Sequence, residues 1–183
     1  MVWIRITSPQ DARGKLAASY RKLGAPPARL DQIILAHGER PHTLDGHMAL
    51  YRAVLHHRDN RLDPAFAEAI GVLVSRINRC EYCLHHHLRG MVRALQNDSL
   101  AEQWIAALLR GPLDRVFSQA RVLALDYVGQ LTRAPCEVTE ILVEQMRLAG
   151  WDDGLILEIN QVAAYFAYAN RTVLGLGVTS DAE

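Results

Sequence analysis

The stretch DPAFAEAIGVLVSRINRCEYCLHHHLRG, residues 63–90, is where the chain declares its organisation. Asp63 before Pro64 reads as a cap and first turn, and the apolar run AFAEAIGVLVSRI continues it as a helix. Asn78 then reads as the cap of a second helix, from near Cys80 to about Leu95. That helix opens on CEYCLHHH, residues 80–87, which holds two of the three cysteines and three of the eight histidines.

The same helical patterning extends to both sides. Ser8-Pro9 reads as a cap and first turn, with a short helix through Tyr20. Gly24 to Pro27 is a break, a helix from about Ala28 to His37 stops at Gly38, and Pro41 opens a segment through His57. Downstream, Asp98 or Ser99 starts a helix that Gly111-Pro112 ends, and a long helix is expected from Leu113 to about Leu131. Thr139 begins the next with Gly150 as its C-terminal cap residue, and Asp152 or Asp153 begins the last. No stretch alternates with period two, and no Asn-Gly or Asp-Gly hairpin joins such stretches. The expectation is all-α, a single-domain multi-helix bundle over residues 1–183, with seven to nine helices.

Composition narrows the function. Half of the 183 residues are hydrophobic and 22% are charged, as in a globular protein with a core. Lys plus Arg equals Asp plus Glu at 20 each, so the basic excess of a nucleic-acid binder is missing. The most apolar segment, from Gly154 to Gly177, is broken by Glu158, Asn160, Gln161, Asn170 and Arg171, which argues against a membrane span. The start MVWIRITSPQ has no secretory pattern, so a cytoplasmic location is expected. In a reducing compartment a C-x-x-C pair points to catalysis or metal binding rather than to a staple.

On a helix, Cys80, Cys83 and His87 share one face, within about 60° of each other. His86 sits at the edge of that cluster and His85 points away. A cysteine in the first helical turn meets unpaired N–H groups that favour its thiolate, which suits Cys80. His87, four residues beyond Cys83, is close enough to exchange a proton with it. The plain alternative is two buried thiols beside a packed histidine. Glu68 lies among apolar neighbours, so it either finds an exposed strip or is buried with a partner. Near His87 it would orient the imidazole.

Glu68, Cys80, Tyr82, Cys83 and His87 together resemble the E-x11-C-x-Y-C-x3-H signature of alkylhydroperoxidase D-like proteins, in the carboxymuconolactone decarboxylase superfamily. SRINRCEYCLHHH and the tail NQVAAYFAYANRTVLGLG are similar to its peroxidase-related branch. The resemblance implies an all-helical homo-oligomer, a trimer or hexamer, with thiol peroxidase-type activity and no cofactor. It implies Cys83 as the peroxide-attacking thiol, Cys80 as its resolving partner, His87 and Glu68 as a proton relay, and Tyr82 as a supporting hydrogen-bond donor. Helix-start chemistry alone would favour attack by Cys80, so the order stays open at this stage. The implied partners are a hydroperoxide and a dithiol reductant, either a lipoyl-bearing or a thioredoxin-like protein.

Other readings compete. Cys80, Cys83 and His87 could hold Zn²⁺ with Glu68 or His86 as a fourth ligand. A decarboxylase acting on a lactone acid shares the superfamily, and a non-catalytic scaffold is a third possibility. Cys136 reads as a lone thiol. His37, His42, His47, His56 and His57 lack ligand spacing and read as surface or core residues, although one of them could line a pocket. Asn170 and Arg171 interrupt an apolar helix and are expected to pair with Glu158 or a neighbouring subunit. Trp104 and Trp151 are expected in the core or an interface.

Overall fold

A computed structural model describes residues 2–24 and 30–179. Among them are nine α-helices: α1 (Gly14–Lys22), α2 (Gln32–Ala36), α3 (Pro41–Leu55), α4 (Pro64–Ile77), α5 (Glu81–Leu95), α6 (Asp98–Arg110), α7 (Gln119–Arg133), α8 (Glu140–Leu148) and α9 (Asp153–Gly175). No strand occurs among the described residues, so the fold is all-α.

The bundle is built around α4. Nine residues between Ala65 and Ser75 are buried, which explains why its sequence is so largely apolar. Asp63 accepts from the Ala65 amide and Pro64 occupies the first turn, as the residue types predicted. Around α4 pack α5, α9, α7 and α6, with Phe66, Ile70, Leu108, Val128, Ile159 and Phe166 in the shared core. Trp104 belongs to this core, and Trp151 stacks on Phe66 while donating its indole N–H to the Ala120 carbonyl. A smaller cluster of Leu16, Tyr20, Ile34 and Leu44 joins α1, α2 and α3 beside it.

Several boundaries move. The segment after Ser8 is a turn closed by Ser8 and Asp11, and α1 starts only at Gly14. The expected break at 24–27 and the start at Ala28 fall largely on residues outside the described set; α2 itself is the short Gln32–Ala36. Leu113–Arg115 forms a 3-10 turn, and Ser118 caps a helix that runs to Arg133 instead of Leu131.

The α4–α5 junction also differs from expectation, and it matters most. Asn78 does not cap α5; it ends α4. Arg79 takes the left-handed conformation with φ of 56°, the Cys80 amide donates to the Ser75 carbonyl, and the Arg79 amide to that of Arg76. This is a Schellman closure, with arginine where glycine is usual. Its last residue, Cys80, is at once the N-cap position of α5. Two helices thus turn on three residues, and both thiols land at the start of α5.

Candidate active site

Both cysteines are buried free thiols, Cys80 at 1% exposure and Cys83 at 5%. The two thiols lie against each other at the start of α5. Cys80 accepts from the Cys83 thiol and from the Cys83 backbone N–H, which holds it below the ordinary thiol range. Cys83 is pushed up by that same bond, by burial and by the charge on Cys80. Access runs the other way. A cavity of about 340 Å³ is lined by Cys83, while Cys80 lies behind it.

His87 projects from the next turn of α5 onto the same cavity and bonds Glu68 of α4, Nδ1 to Oε2, at 2.8 Å. With Nδ1 committed to the carboxylate, Nε2 is the nitrogen left to exchange protons. Glu68 is neither on an open surface nor sealed: its side chain is 31% exposed and forms part of the cavity rim. Two glycines make the pairing possible. A Cβ on Gly71 would stand 2.7 Å from the His87 ring, and one on Gly90 would stand 2.5 Å from the Glu68 carboxylate. Each helix leaves a notch for the other's side chain. Phe166 of α9 covers the His87 ring at 4.1 Å between centroids.

Much of the remaining lining comes from α2, α3 and α9 and is mostly apolar or aromatic. Ile33 and Ile34 come from α2, Met48 and Tyr51 from α3, and Tyr165 and Phe166 from α9. Tyr82 lines the cavity too, but its phenol oxygen meets the backbone amides of Ile33 and Gln32 at the start of α2. Its partner is therefore the α2 backbone, and it ties that short helix to α5. Among the described residues no group of three or more His, Cys, Asp or Glu could hold a metal ion. No helix there is long and apolar enough to cross a membrane.

Residues 41–128 match the carboxymuconolactone decarboxylase family. That span is just under half of the chain and runs from the start of α3 into α7 of this all-α fold. Solved structures share that fold over nearly the full length. A peroxidase-related protein with an alkylhydroperoxidase AhpD core from Ralstonia eutropha JMP134 superposes with a TM-score of 0.82 at 19% identity, covering 98% of this chain and 92% of that one. A peroxidase-related protein from Silicibacter sp. TM1040 gives 0.78 at 23% identity, covering 99% and 92%. The debrominase Bmp8, as a cysteine-to-alanine variant with 2,3,4-tribromopyrrole, gives 0.74 at 15% identity, covering 99% and 91%. No curated protein matches the chain.

Within this fold, the five residues of the spacing pattern gather near the start of α5, with Tyr82 turned to α2. Three placements depart from the sequence reading. His86, expected only at the edge of the helical cluster, lines the cavity beside His87, with rings 5.5 Å apart. His47 and His56 line it as well, brought there by α3. Asn170 pairs with neither Glu158 nor a subunit: it is fully buried, bonded to Asn78 and Ser75. Glu158 instead accepts from the Arg61 and Leu62 backbone amides. Cys136 is exposed on a 3-10 turn, and His85 is exposed on α5.

His47 gives the fold a pH dependence. Its ring packs 4.9 Å from His37 and its Nε2 lies 3.4 Å from the Tyr165 hydroxyl. Burial, with help from His37, pulls it down from 6.5 to about 4. Between those values the unfolded chain binds a proton that the folded chain refuses, so stability falls as pH drops through that window. His47 is expected to account for on the order of 1–3 kcal/mol of the loss between pH 7 and 4. Urea titrations at pH 7 and 4.5 measure it, and His47→Gln should flatten the difference; an equal acid loss in the variant would refute the assignment.

Proposed function

We propose that this chain is a thiol peroxidase that reduces hydroperoxides with the Cys80–Cys83 pair. The observation that carries the reading is the position of Cys83: it lies beside Cys80 and faces one cavity with the paired His87 and Glu68. A dithiol, a proton carrier and an organic-sized space meet at one point.

The steps balance as follows. With Cys80 starting as the thiolate, Cys83 passes its proton to Cys80 and attacks the terminal oxygen of ROOH; the O–O bond breaks as the S–O bond forms. The leaving RO⁻ takes a proton from His87, giving ROH and Cys83 sulfenic acid. His87 recovers a proton from solvent, and Glu68 steadies its charged form. Cys80 then displaces hydroxide from the sulfenic sulfur, forming the disulfide and water. A dithiol reductant, lipoyl-bearing or thioredoxin-like, restores both thiols by exchange. Tyr82 acts by holding α2 over the cavity.

Charge favours this reading over a decarboxylase. The formally charged residues among the described lining are Asp31 and Glu68, with no Lys or Arg beside them. Such a cavity repels a carboxylate substrate and accepts a neutral hydroperoxide. The aromatic lining, with the debrominase among the structural neighbours, supports a second substrate for the same dithiol. There an aryl bromide and two thiols would give the arene, the disulfide and HBr.

The test is a single turnover. Reduced protein is mixed with one equivalent of cumene hydroperoxide, and separately with 2,3,4-tribromopyrrole. A loss of two hydrogens mapped to a Cys80–Cys83 link, with cumyl alcohol released, is the expected result. Thiols that survive excess peroxide over minutes would sink the peroxidase reading, and bromide release with disulfide formation would favour the second.

A further inference from the structure

Asp31, His56 and Pro64 are the exposed members of the cavity lining, whereas Cys83, His87, Tyr165 and Phe166 are buried. The entrance therefore lies between the start of α2, the end of α3 and the start of α4, with Cys83 at the inner end. The basic groups of the described lining are four histidines. Burial draws His47 down to about 4 and lowers His86 as well, so neither carries charge at neutral pH. His56 packs edge-on against Tyr51, with ring centroids 4.6 Å apart. His87 is held by Glu68 at 2.8 Å, and those two charges cancel whenever the imidazole is protonated. One charge then has no counterpart in the described lining. It is Asp31, which makes no side-chain capping hydrogen bond to α2. Arg89 and Arg93 of α5 are exposed and stand outside the lining.

We infer that the cavity selects small organic cations, molecules with a protonated or quaternary amine, and that Asp31 at the entrance sets this preference. The inference rests on the dithiol chemistry proposed above and names the substrate class: a hydroperoxide that carries an ammonium group. The walls agree with the charge. Tyr51, Tyr82, Tyr165 and Phe166 bound the same space, and Tyr165 stands 6.0 Å from Tyr51 and 5.5 Å from Phe166. Aromatic rings attract a cation through their π faces and give an anion no such contact. An anion entering the cavity meets Asp31 at the mouth and Glu68 at the rim. At about 340 Å³ the space is at the small end for ligand pockets. The ammonium and the group that reacts with Cys83 therefore belong to one compact molecule.

The experiment reads charge preference at Cys83 itself and uses no peroxide. In a Cys80→Ser, Cys136→Ser background, Cys83 is modified by two methanethiosulfonates, one ending in trimethylammonium and one in sulfonate. In both, the Cys83 thiolate attacks the sulfenyl sulfur, a mixed disulfide forms and methanesulfinate leaves. The cation-to-anion rate ratio is divided by the same ratio for 2-mercaptoethanol. In low-salt buffer it is expected to be roughly tenfold or more, and to shrink as salt is raised. Asp31→Asn should lower it about fivefold, and Asp31→Lys should bring it below one. Glu81→Gln, which removes an exposed carboxylate of α5 outside the lining, should leave it in place. Benzyltrimethylammonium should also slow modification by neutral methyl methanethiosulfonate, and benzenesulfonate at the same concentration should not. A ratio near one, a ratio that ignores Asp31→Asn, or equal falls with Asp31→Asn and Glu81→Gln overturns the inference. Equal protection by the two aromatic ions does so as well. A cation preference in a protein inert to hydroperoxide would refute the peroxidase reading and leave the selectivity standing.

Discussion

Cys83→Ser is expected to reduce hydroperoxide turnover to background, a fall on the order of 10³-fold or more. Cys80→Ser should behave differently. It should consume one peroxide per chain, stop, and leave a sulfenic acid on Cys83 that dimedone traps. The asymmetry follows from access, because Cys83 lines the cavity and Cys80 lies behind it. Acidity alone would predict the reverse pattern, since the inter-thiol bond lowers Cys80 and raises Cys83. Access should decide, because a thiolate that cannot touch the O–O bond cannot attack it, whereas a proton crosses a hydrogen-bonded pair readily. Dimedone adducts on Cys80 in the Cys83→Ser protein would reverse the assignment.

The second large effect is expected at the two notched glycines, and the two should differ in kind. Gly71→Ala drives a methyl into the His87 ring, which is already covered by Phe166. The ring has nowhere to retreat, so the helices must part, at a cost of about 1–3 kcal/mol. Gly90→Ala meets only the carboxylate end of Glu68, a flexible side chain at the cavity rim. That carboxylate can swing away, and alanine is the better helix former by about 1 kcal/mol, so stability should hardly change. The relay would nonetheless be broken, and turnover should drop by about 10²-fold. Denaturation and kinetics on both variants separate the cases. A Gly90→Ala enzyme of full activity would remove Glu68 from the mechanism.

What could be read beforehand was whatever lies along one helix. The three-residue and four-residue spacings put Cys80, Cys83 and His87 on one face, and the structure keeps them there. Capping was legible at Asp63, where proline follows, and not at Asn78, whose residue type suits a cap but whose backbone closes α4 instead. The run from Leu113 hid the 3-10 turn, because its apolar residues continue evenly into α7. His47, His86 and Asn170 were undervalued for a common reason. Their importance comes from α3 and α9 packing together over one cavity shared with α5, and no local periodicity reports such an arrangement. Asn170 did leave a trace, as a polar interruption in an apolar helix, but its partners lie more than ninety positions away.

The rear of the dithiol has a bearing on how the protein becomes active. Cys80 and Cys83 pack there against Val173 and Val178, with Val2 and Leu176 beside them, and the Trp3 amide donates to the Leu176 carbonyl. The first and last described segments therefore meet behind the sulfurs. Pairings so distant in sequence are slow to form, whereas the α4–α5 hairpin is local. A refolding chain should acquire its C-x-x-C turn early and its shelter late, passing through a period in which both thiols stand open to solvent. Pulsed alkylation during refolding would register this as protection of Cys80 that lags behind helix formation; simultaneous appearance of the two would argue for a single concerted step.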